Sequence, residues 1–255
     1  MLTIRAHQLE SFREIARQSF ENETIAHLHD FARRQCEVMG DDDLRAVVRD
    51  GMRRAAEHGF DERGPVRFYI ELMFMFGSDF DTDPLLPWAR PLLTDLSDPW
   101  QIPRAERLFA ALRAYLAEVA GPGNVKARAA LERMHADRAR AAPPRDAVFA
   151  DRLAEWLTGL YPEKCRLAGD AALRALIECA EREAADHGID SADGVVLVAK
   201  LMFLLGQGCP RDLQFRWIGE TLDDPGVSDG AARIEQLRRK SDAWIDSALR
   251  HLSAA

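Results

Sequence analysis

An internal repeat limits what this chain can fold into more than any other feature of its sequence. His58-Gly59 recurs as His187-Gly188, a shift of 129 residues, and the same shift brings Leu72-Met73-Phe74 onto Leu201-Met202-Phe203 without a gap. Because this unit is about three times longer than a typical solenoid repeat, we predict a duplicated small domain and not an open array. Further matches at the same shift are Gly77 with Gly206, Trp88 with Trp217 and Cys36 with Cys165.

The composition and periodicity predict helices throughout. Ala, Leu, Arg and Glu are abundant while β-branched residues are sparse, which favours helix. The predicted fold is an all-α helical bundle made of two tandem copies of a unit with roughly five helices. The predicted division is residues 1-122 for the first copy, 123-146 for a connecting helix and linker, and 147-255 for the second copy.

Apolar spacing and helix-end signals place the helices of one unit. The first runs from about Leu9 to Val38 with a break near Asn22, and the second opens at Asp41–Asp43 and ends at His58-Gly59. The third, Val66 to Phe76, is apolar nearly all round and is therefore predicted to be a buried central helix, like its copy from Val195 to Leu205. A fourth short helix follows Asp83-Pro84, and the fifth covers roughly Arg104 to Val119.

Charge argues against nucleic acid as a partner. The formal net charge is -8, so the chain lacks the basic footprint of a nucleic-acid-binding protein. Basic residues cluster only between Lys126 and Arg140, where a solvated helix face is favoured over a phosphate-binding stripe.

The cysteines and the apolar runs bear on the compartment. Four scattered cysteines, with no C-x-x-C pair, suit a reducing environment. The longest apolar runs are far too short to span a bilayer, and no secretory signal is visible at the N-terminus. We therefore expect a cytoplasmic protein without a membrane partner, with Cys36 and Cys165 as core fillers.

An acidic segment is the most conspicuous candidate site. Asp79, Asp81 and Asp83 alternate along the chain, but the sixth and twelfth positions of an EF-hand reading hold Pro84 and Arg90 instead of Gly and Glu. Helix capping and turn formation are therefore favoured over a metal site. Together with Trp88, the three aspartates could still form a partner-binding tip.

The sequence offers no catalytic constellation. His58 and His187 recur, but each precedes a glycine at a helix end, where capping accounts for it better than a general base does. No phosphate-binding glycine motif or nucleophile elbow occurs. We predict no catalytic residues, no metal and no cofactor.

Two equivalent charged residues suggest a contact between the copies. Glu71 and Lys200 lie at matching positions of the two most apolar helices. They could pair across a pseudo-twofold axis, because a lone buried charge is costly. Alternatively, each reaches solvent from its own helix.

The segment from Tyr69 to Pro84, followed by Pro87-Trp88, resembles a signature of helical proteins encoded beside the VgrG and PAAR genes of bacterial type VI secretion systems. Ile4-Arg5, Gln8 and Phe12 fit the same pattern. The resemblance covers mainly the first copy and implies a role near effector loading or effector neutralisation. It supplies no catalytic residues.

Three functions follow as hypotheses. The first is a non-enzymatic protein-binding module, an adaptor or chaperone for a type VI secretion effector, with a secreted effector and a spike protein as partners. The second is an immunity protein that neutralises a cognate toxin, for which the acidic charge would suit a basic toxin. The third is a metal-dependent enzyme that uses Asp79, Asp81 and Asp83.

Overall fold

The structure is a computed structural model that describes residues 6–227 and 229–254, and the side chains of residues 8, 10–227 and 229–251. Ile4 and Arg5, which contribute to the resemblance above, lie outside the described residues. The described part consists of helices joined by turns and irregular segments, with no strand in it, so the all-α prediction is confirmed.

The helices follow one another as a first half, α1 to α6, a joining helix α7, and a second half, α8 to α13. They are α1 (Ala6–Phe31), α2 (Arg33–Met39), α3 (Asp41–Glu57), α4 (Arg63–Phe76), α5 (Ala89–Thr94), α6 (Gln101–Val119), α7 (Val125–Ala136), α8 (Phe149–Leu160), α9 (Pro162–Ala168), α10 (Asp170–Asp186), α11 (Ala192–Leu205), α12 (Arg216–Leu222) and α13 (Gly230–Ala254). Short 3₁₀ turns lie at Pro122–Asn124, Asp137–Ala139 and Leu213–Phe215.

Helix ends recur at the shift of 129 residues. The bounds of α9, α10 and α11 are those of α2, α3 and α4 moved by this shift, and α1 and α8 end at equivalent residues. The exception is the start of α1, which extends 14 residues beyond the position equivalent to Phe149, the first residue of α8. The two halves therefore share their helical order but differ in what precedes Phe20.

The break in the first predicted helix lies at Ala32, so the prediction of a break near Asn22 is wrong. Ala32 leaves the helical region, with φ −141° and ψ 47°, and separates α1 from α2. In the second half Tyr161 makes the equivalent break and Pro162 begins α9, as the missing N–H of proline favours. Arg33 stands where the second half has Pro162, so the first half carries no such local signal.

The helices α4 and α11 lie at the centre of one hydrophobic core that contains residues of both halves. Tyr69, Ile70, Leu72 and Met73 of α4 are fully buried, as is Met202 of α11. The prediction of a buried central helix holds for most of α4. Met75, however, is 39% exposed, because no helix in the described part of the chain covers that side of α4.

The halves meet through reciprocal contacts. The Asp83 carboxylate accepts hydrogen bonds from the backbone N–H groups of Leu85 (2.8 Å) and Gln207 (3.1 Å). At the shifted positions, Asp212 accepts from the N–H groups of Gln214 (3.0 Å) and Ser78 (2.7 Å).

Such an exchange of equivalent contacts is the pattern of a twofold interface. Gly77 and Gly206 lie back to back within it, since a Cβ on Gly77 would stand 2.8 Å from the carbonyl oxygen of Leu205. Both glycines have positive φ, 95° and 100°, with ψ near 150°. This backbone region is essentially restricted to glycine, so glycine is required at both positions.

Arginines satisfy the ends of α3 and α10, and at the end of α10 His187 also takes part, since its Nδ1 lies 2.7 Å from the Glu183 carbonyl oxygen. Arg104 donates to the carbonyl oxygens of His58 (2.7 Å) and Leu93 (3.2 Å), and Arg233 donates to that of His187 (2.6 Å). A cation at a helix C-terminus is favoured by the helix dipole. Gly59 and Gly188 take the expected positive φ that ends each helix.

Over the described residues, every helix is too short or too polar to cross a membrane.

Candidate functional site

The predicted acidic tip is wrong for two of its three aspartates. Asp81 and Asp83 are each only 6% exposed, whereas the side chain of Asp79 is 42% exposed. Asp83 belongs to the junction between the halves. Burial raises the pKa of Asp83, although the nearby Lys164 ammonium opposes this shift.

Asp81 lies at the centre of a buried polar cluster. Its carboxylate accepts a hydrogen bond from Tyr69 Oη (2.7 Å), contacts His58 Nε2 (2.9 Å) and pairs with the Arg54 guanidinium. Burial acts to raise the pKa of Asp81, but the bonds from His58, Tyr69 and Arg54 outweigh it and lower the pKa to about 2. Asp81 therefore stays ionised at neutral pH.

The same arginine occupies the space between two of the predicted metal ligands. Arg54 donates a hydrogen bond from Nη1 to the Asp79 carboxylate and another from Nη2 to the Asp81 carboxylate. A divalent ion held by these two carboxylates would have to displace a guanidinium whose side chain is only 14% exposed. Within the described residues, no three His, Cys, Asp or Glu side chains are grouped so as to hold a metal. The cluster thus fits a structural role.

Trp88 packs with aromatic neighbours and does not project as a recognition residue. Its ring lies 6.0 Å from Phe76 and 5.8 Å from Tyr115, measured between ring centroids. Trp88 and its counterpart Trp217 are both half-buried against the core. The two rings therefore stabilise the packing of α5 and α12 against the core.

Glu71 and Lys200 do not pair with each other, so the predicted contact across the axis is wrong. Glu71 Oε1 lies 2.7 Å from His27 Nε2 on α1, and Lys200 Nζ lies 2.5 Å from Asp137 Oδ2 after α7. Both side chains are directed to the outer sides of α4 and α11, away from the Gly77 and Gly206 junction. The difference between the two halves therefore lies on the outer sides of α4 and α11.

In the second half, α7 packs against α13 and α8 and so lies beside the outer side of α11. Met134 of α7 lines a small cavity with Leu197, Leu201 and Leu204 of α11 and Ile245 of α13. Leu160, at the end of α8, is 4% exposed and Leu197 is 7% exposed. The joining segment 123-146 is therefore packed against the second half for much of its length.

In the first half, the equivalent side of α4 is open, and we call it the α4 surface. It consists of the residues equivalent to those that α7 covers: Phe31 of α1, Phe68, Glu71 and Met75 of α4, and Phe109 and Leu116 of α6. Phe31 is 44% and Phe109 49% exposed, and the rings of Phe68 and Phe109 meet edge to face at 5.8 Å. An apolar surface of this kind is typical of a protein-binding site.

The difference arises in the segment before each half. Residues 140–144, which contain Pro143 and Pro144, separate α7 from α8 and let α7 fold back over α11. Before Phe20 the chain instead continues as one uninterrupted helix, α1, with Phe12 and Ile15 exposed. The α4 surface thus has no covering helix within the described chain.

The basic residues between Lys126 and Arg140 are engaged within the chain. Arg133 donates to the Leu160 carbonyl oxygen (3.1 Å), and the Arg140 guanidinium stacks 4.3 Å over the Trp156 ring. Lys200 approaches the same ring at 4.2 Å. These contacts favour the predicted helix face over a phosphate-binding stripe.

Sequence reasoning missed the α4 surface because Phe68 and Met75 were assigned to a wholly buried helix. A signal for it does exist in the sequence. Pro143 and Pro144 have no counterpart before Phe20, where Glu14 and Ile15 stand at the equivalent positions.

No family of known proteins, no curated protein sequence and no solved structure matches this chain.

Proposed function

We propose that this protein is a non-enzymatic protein-binding module that takes a helical segment of a partner onto the α4 surface. One observation carries the proposal: Phe31 and Met75 of the α4 surface are 44% and 39% exposed, whereas their second-half counterparts, Leu160 and Leu204, are buried and partly buried. An amphipathic helix laid on an apolar surface is a common mode of peptide recognition.

The biological role that we propose is that of a cytoplasmic adaptor or chaperone for a type VI secretion effector. The support is the resemblance of the segment from Tyr69 to Pro84. Neutralisation of a toxin remains the alternative, and the net charge of -8 favours it where the toxin is basic. The metal-dependent enzyme is less favoured, because Arg54 occupies the space between Asp79 and Asp81.

The proposal includes the duplication of one helical unit. Its support is the agreement of helix ends at the shift of 129 residues and the reciprocal bonds of Asp83 and Asp212. On this basis α7 is an addition to the second unit that leaves the first unit with an open surface for a partner.

Phe109→Glu is expected to weaken partner binding at least tenfold. A charge at the centre of an apolar contact remains desolvated and unpaired, which costs more than about 1.4 kcal/mol. The measurement is calorimetric titration of the purified protein with the effector encoded beside it, using the N-terminal region and the toxic C-terminal domain as separate fragments. Binding of the first fragment fits an adaptor, and binding of the second fits an immunity protein.

Val38→Glu provides the matched control. Val38 is 73% exposed on α2, outside the α4 surface, so this substitution introduces the same charge at an apolar position without touching the proposed contact. Thermal melting of both variants checks that the fold is retained. Failure of both fragments to bind, or equal binding by Phe109→Glu and the native chain, would contradict the proposal.

A further inference from the structure

We infer that the occupant of the α4 surface is an amphipathic helix of a partner protein that places a lysine or arginine opposite Glu71. This inference rests on the proposed function and adds the chemistry of the partner segment. Its basis is the position of α7 on the equivalent surface of the second half.

The packing of α7 against α13 and α8, beside α11, is the template. Ala130, Leu131 and Met134 of α7 are buried and Ala127 is partly buried, at the spacing of one face of a helix. Small and medium apolar residues on this face let α7 lie close to α13 and α8. A helix with the same stripe would find comparable apolar residues on the α4 surface.

The apolar counterparts agree in kind between the two surfaces. Phe68 stands at the position of Leu197, Met75 at that of Leu204, and Leu116 at that of Ile245. The second member of each pair lines a small cavity with Met134 of α7. These three positions favour the same type of occupant on both surfaces, whereas Phe109 stands where the second half has Arg238.

The central charge is reversed between the two surfaces. Lys200 Nζ of α11 lies 2.5 Å from the carboxylate of Asp137, a residue that follows the last turn of α7. Glu71 occupies the equivalent position on α4, so a helix lying as α7 does would face a carboxylate at this point. An aspartate there would be repelled, and a cation would be attracted.

Glu71 remains able to receive such a cation. Its side chain is 22% exposed, and the contact with His27 uses one carboxylate oxygen, Oε1. The side chain of Lys200 is similarly placed, at 19% exposed. A lysine or arginine from the partner would thus complete at Glu71 the kind of half-buried pair that Asp137 completes at Lys200.

A second copy of this chain is the competing occupant. Phe12 and Ile15 of α1 are 59% and 63% exposed and could meet the α4 surface of another molecule. That arrangement predicts self-association that increases with protein concentration and that Phe12→Glu abolishes. Such a result, measured by sedimentation, would overturn the assignment to a partner protein.

The test uses two helical peptides made from residues 125–140 of this chain. Arg128 and Glu132 are exposed and one turn apart, so a hydrocarbon cross-link between these positions holds the helix without touching the contact face. One peptide keeps Asp137 and the other carries Asp137→Lys. Fluorescence anisotropy measures the affinity of each for the full chain.

The Asp137→Lys peptide is expected to bind the native chain at least tenfold more tightly than the Asp137 peptide. Glu71→Lys should invert this preference, and Phe109→Glu should remove the binding of both peptides. Should Glu71→Lys fail to fold, Glu71→Gln is expected to abolish the preference instead.

Three outcomes would overturn the inference. Equal affinity of both peptides, lost with Phe109→Glu, would reject the charge rule and leave the proposed function intact. Binding that Phe109→Glu does not affect would place the peptides on another surface. Absence of binding by both peptides would reject the α7 template, while the effector fragments test the proposed function separately.

Discussion

Gly206→Ala is expected to lower the free energy of unfolding by more than about 4 kcal/mol. Two costs combine at this position. The backbone at φ 100° and ψ 150° is strained for any residue with a Cβ, and that Cβ would overlap the carbonyl oxygen of Phe76 in the opposite half. Urea denaturation of the full chain measures the loss.

Gly169→Ala separates these two costs. Gly169 has nearly the same backbone, φ 82° and ψ 162°, but an added Cβ there would meet no described atom within 4 Å. Its substitution should therefore cost only the backbone strain, about 1–3 kcal/mol. Equal losses for the two variants would show that the close approach of Gly77 and Gly206 contributes nothing to stability.

Asp81→Asn is expected to destabilise the protein by about 2–4 kcal/mol at pH 7, because Arg54 loses its buried counter-charge. The folded-state pKa of Asp81 is about 2, below its ordinary value of 3.8. The stabilisation from its ionised form is therefore complete above about pH 5 and is lost as pH falls from about 4 towards 2. Denaturation measured across this window should show a shallower acid loss in Asp81→Asn than in the native chain.

Asp79→Asn is the matched control for this experiment. Asp79 binds the same guanidinium, but its side chain is 42% exposed, so solvent screens the pair and the loss should stay below about 1 kcal/mol. If the stability of Asp81→Asn fell with pH as steeply as that of the native chain, this result would contradict the role assigned to the buried cluster.

Local rules predicted most of the helices. The ends of α3 at Gly40 and Gly59, the start of α4 near Pro65 and the start of α6 near Arg104 follow from glycine, proline and apolar spacing. The break at Ala32 did not follow, because nothing local distinguishes Ala32 from its neighbours. The break lets α2 turn and bury Cys36, and this burial depends on contacts with distant parts of the chain.

Local rules were less informative about the candidate site. Alternating aspartates suggested an exposed tip, yet Arg54 and Tyr69, which neutralise and bury Asp81, lie 27 and 12 residues away along the chain. The pairing of Glu71 was likewise decided by His27, on another helix. A single sequence does not show which distant side chain will supply a partner.

The sequence by itself determined that this protein is helical and that its two halves follow the same order of helices, because periodicity, glycines and caps act over a few residues. Only the tertiary structure decided which side of each central helix stays open. Whether Phe109 is covered depends on where the segment before each half turns, and that depends on packing between distant helices. The same physical reason explains why the open α4 surface emerged from the fold and not from any motif.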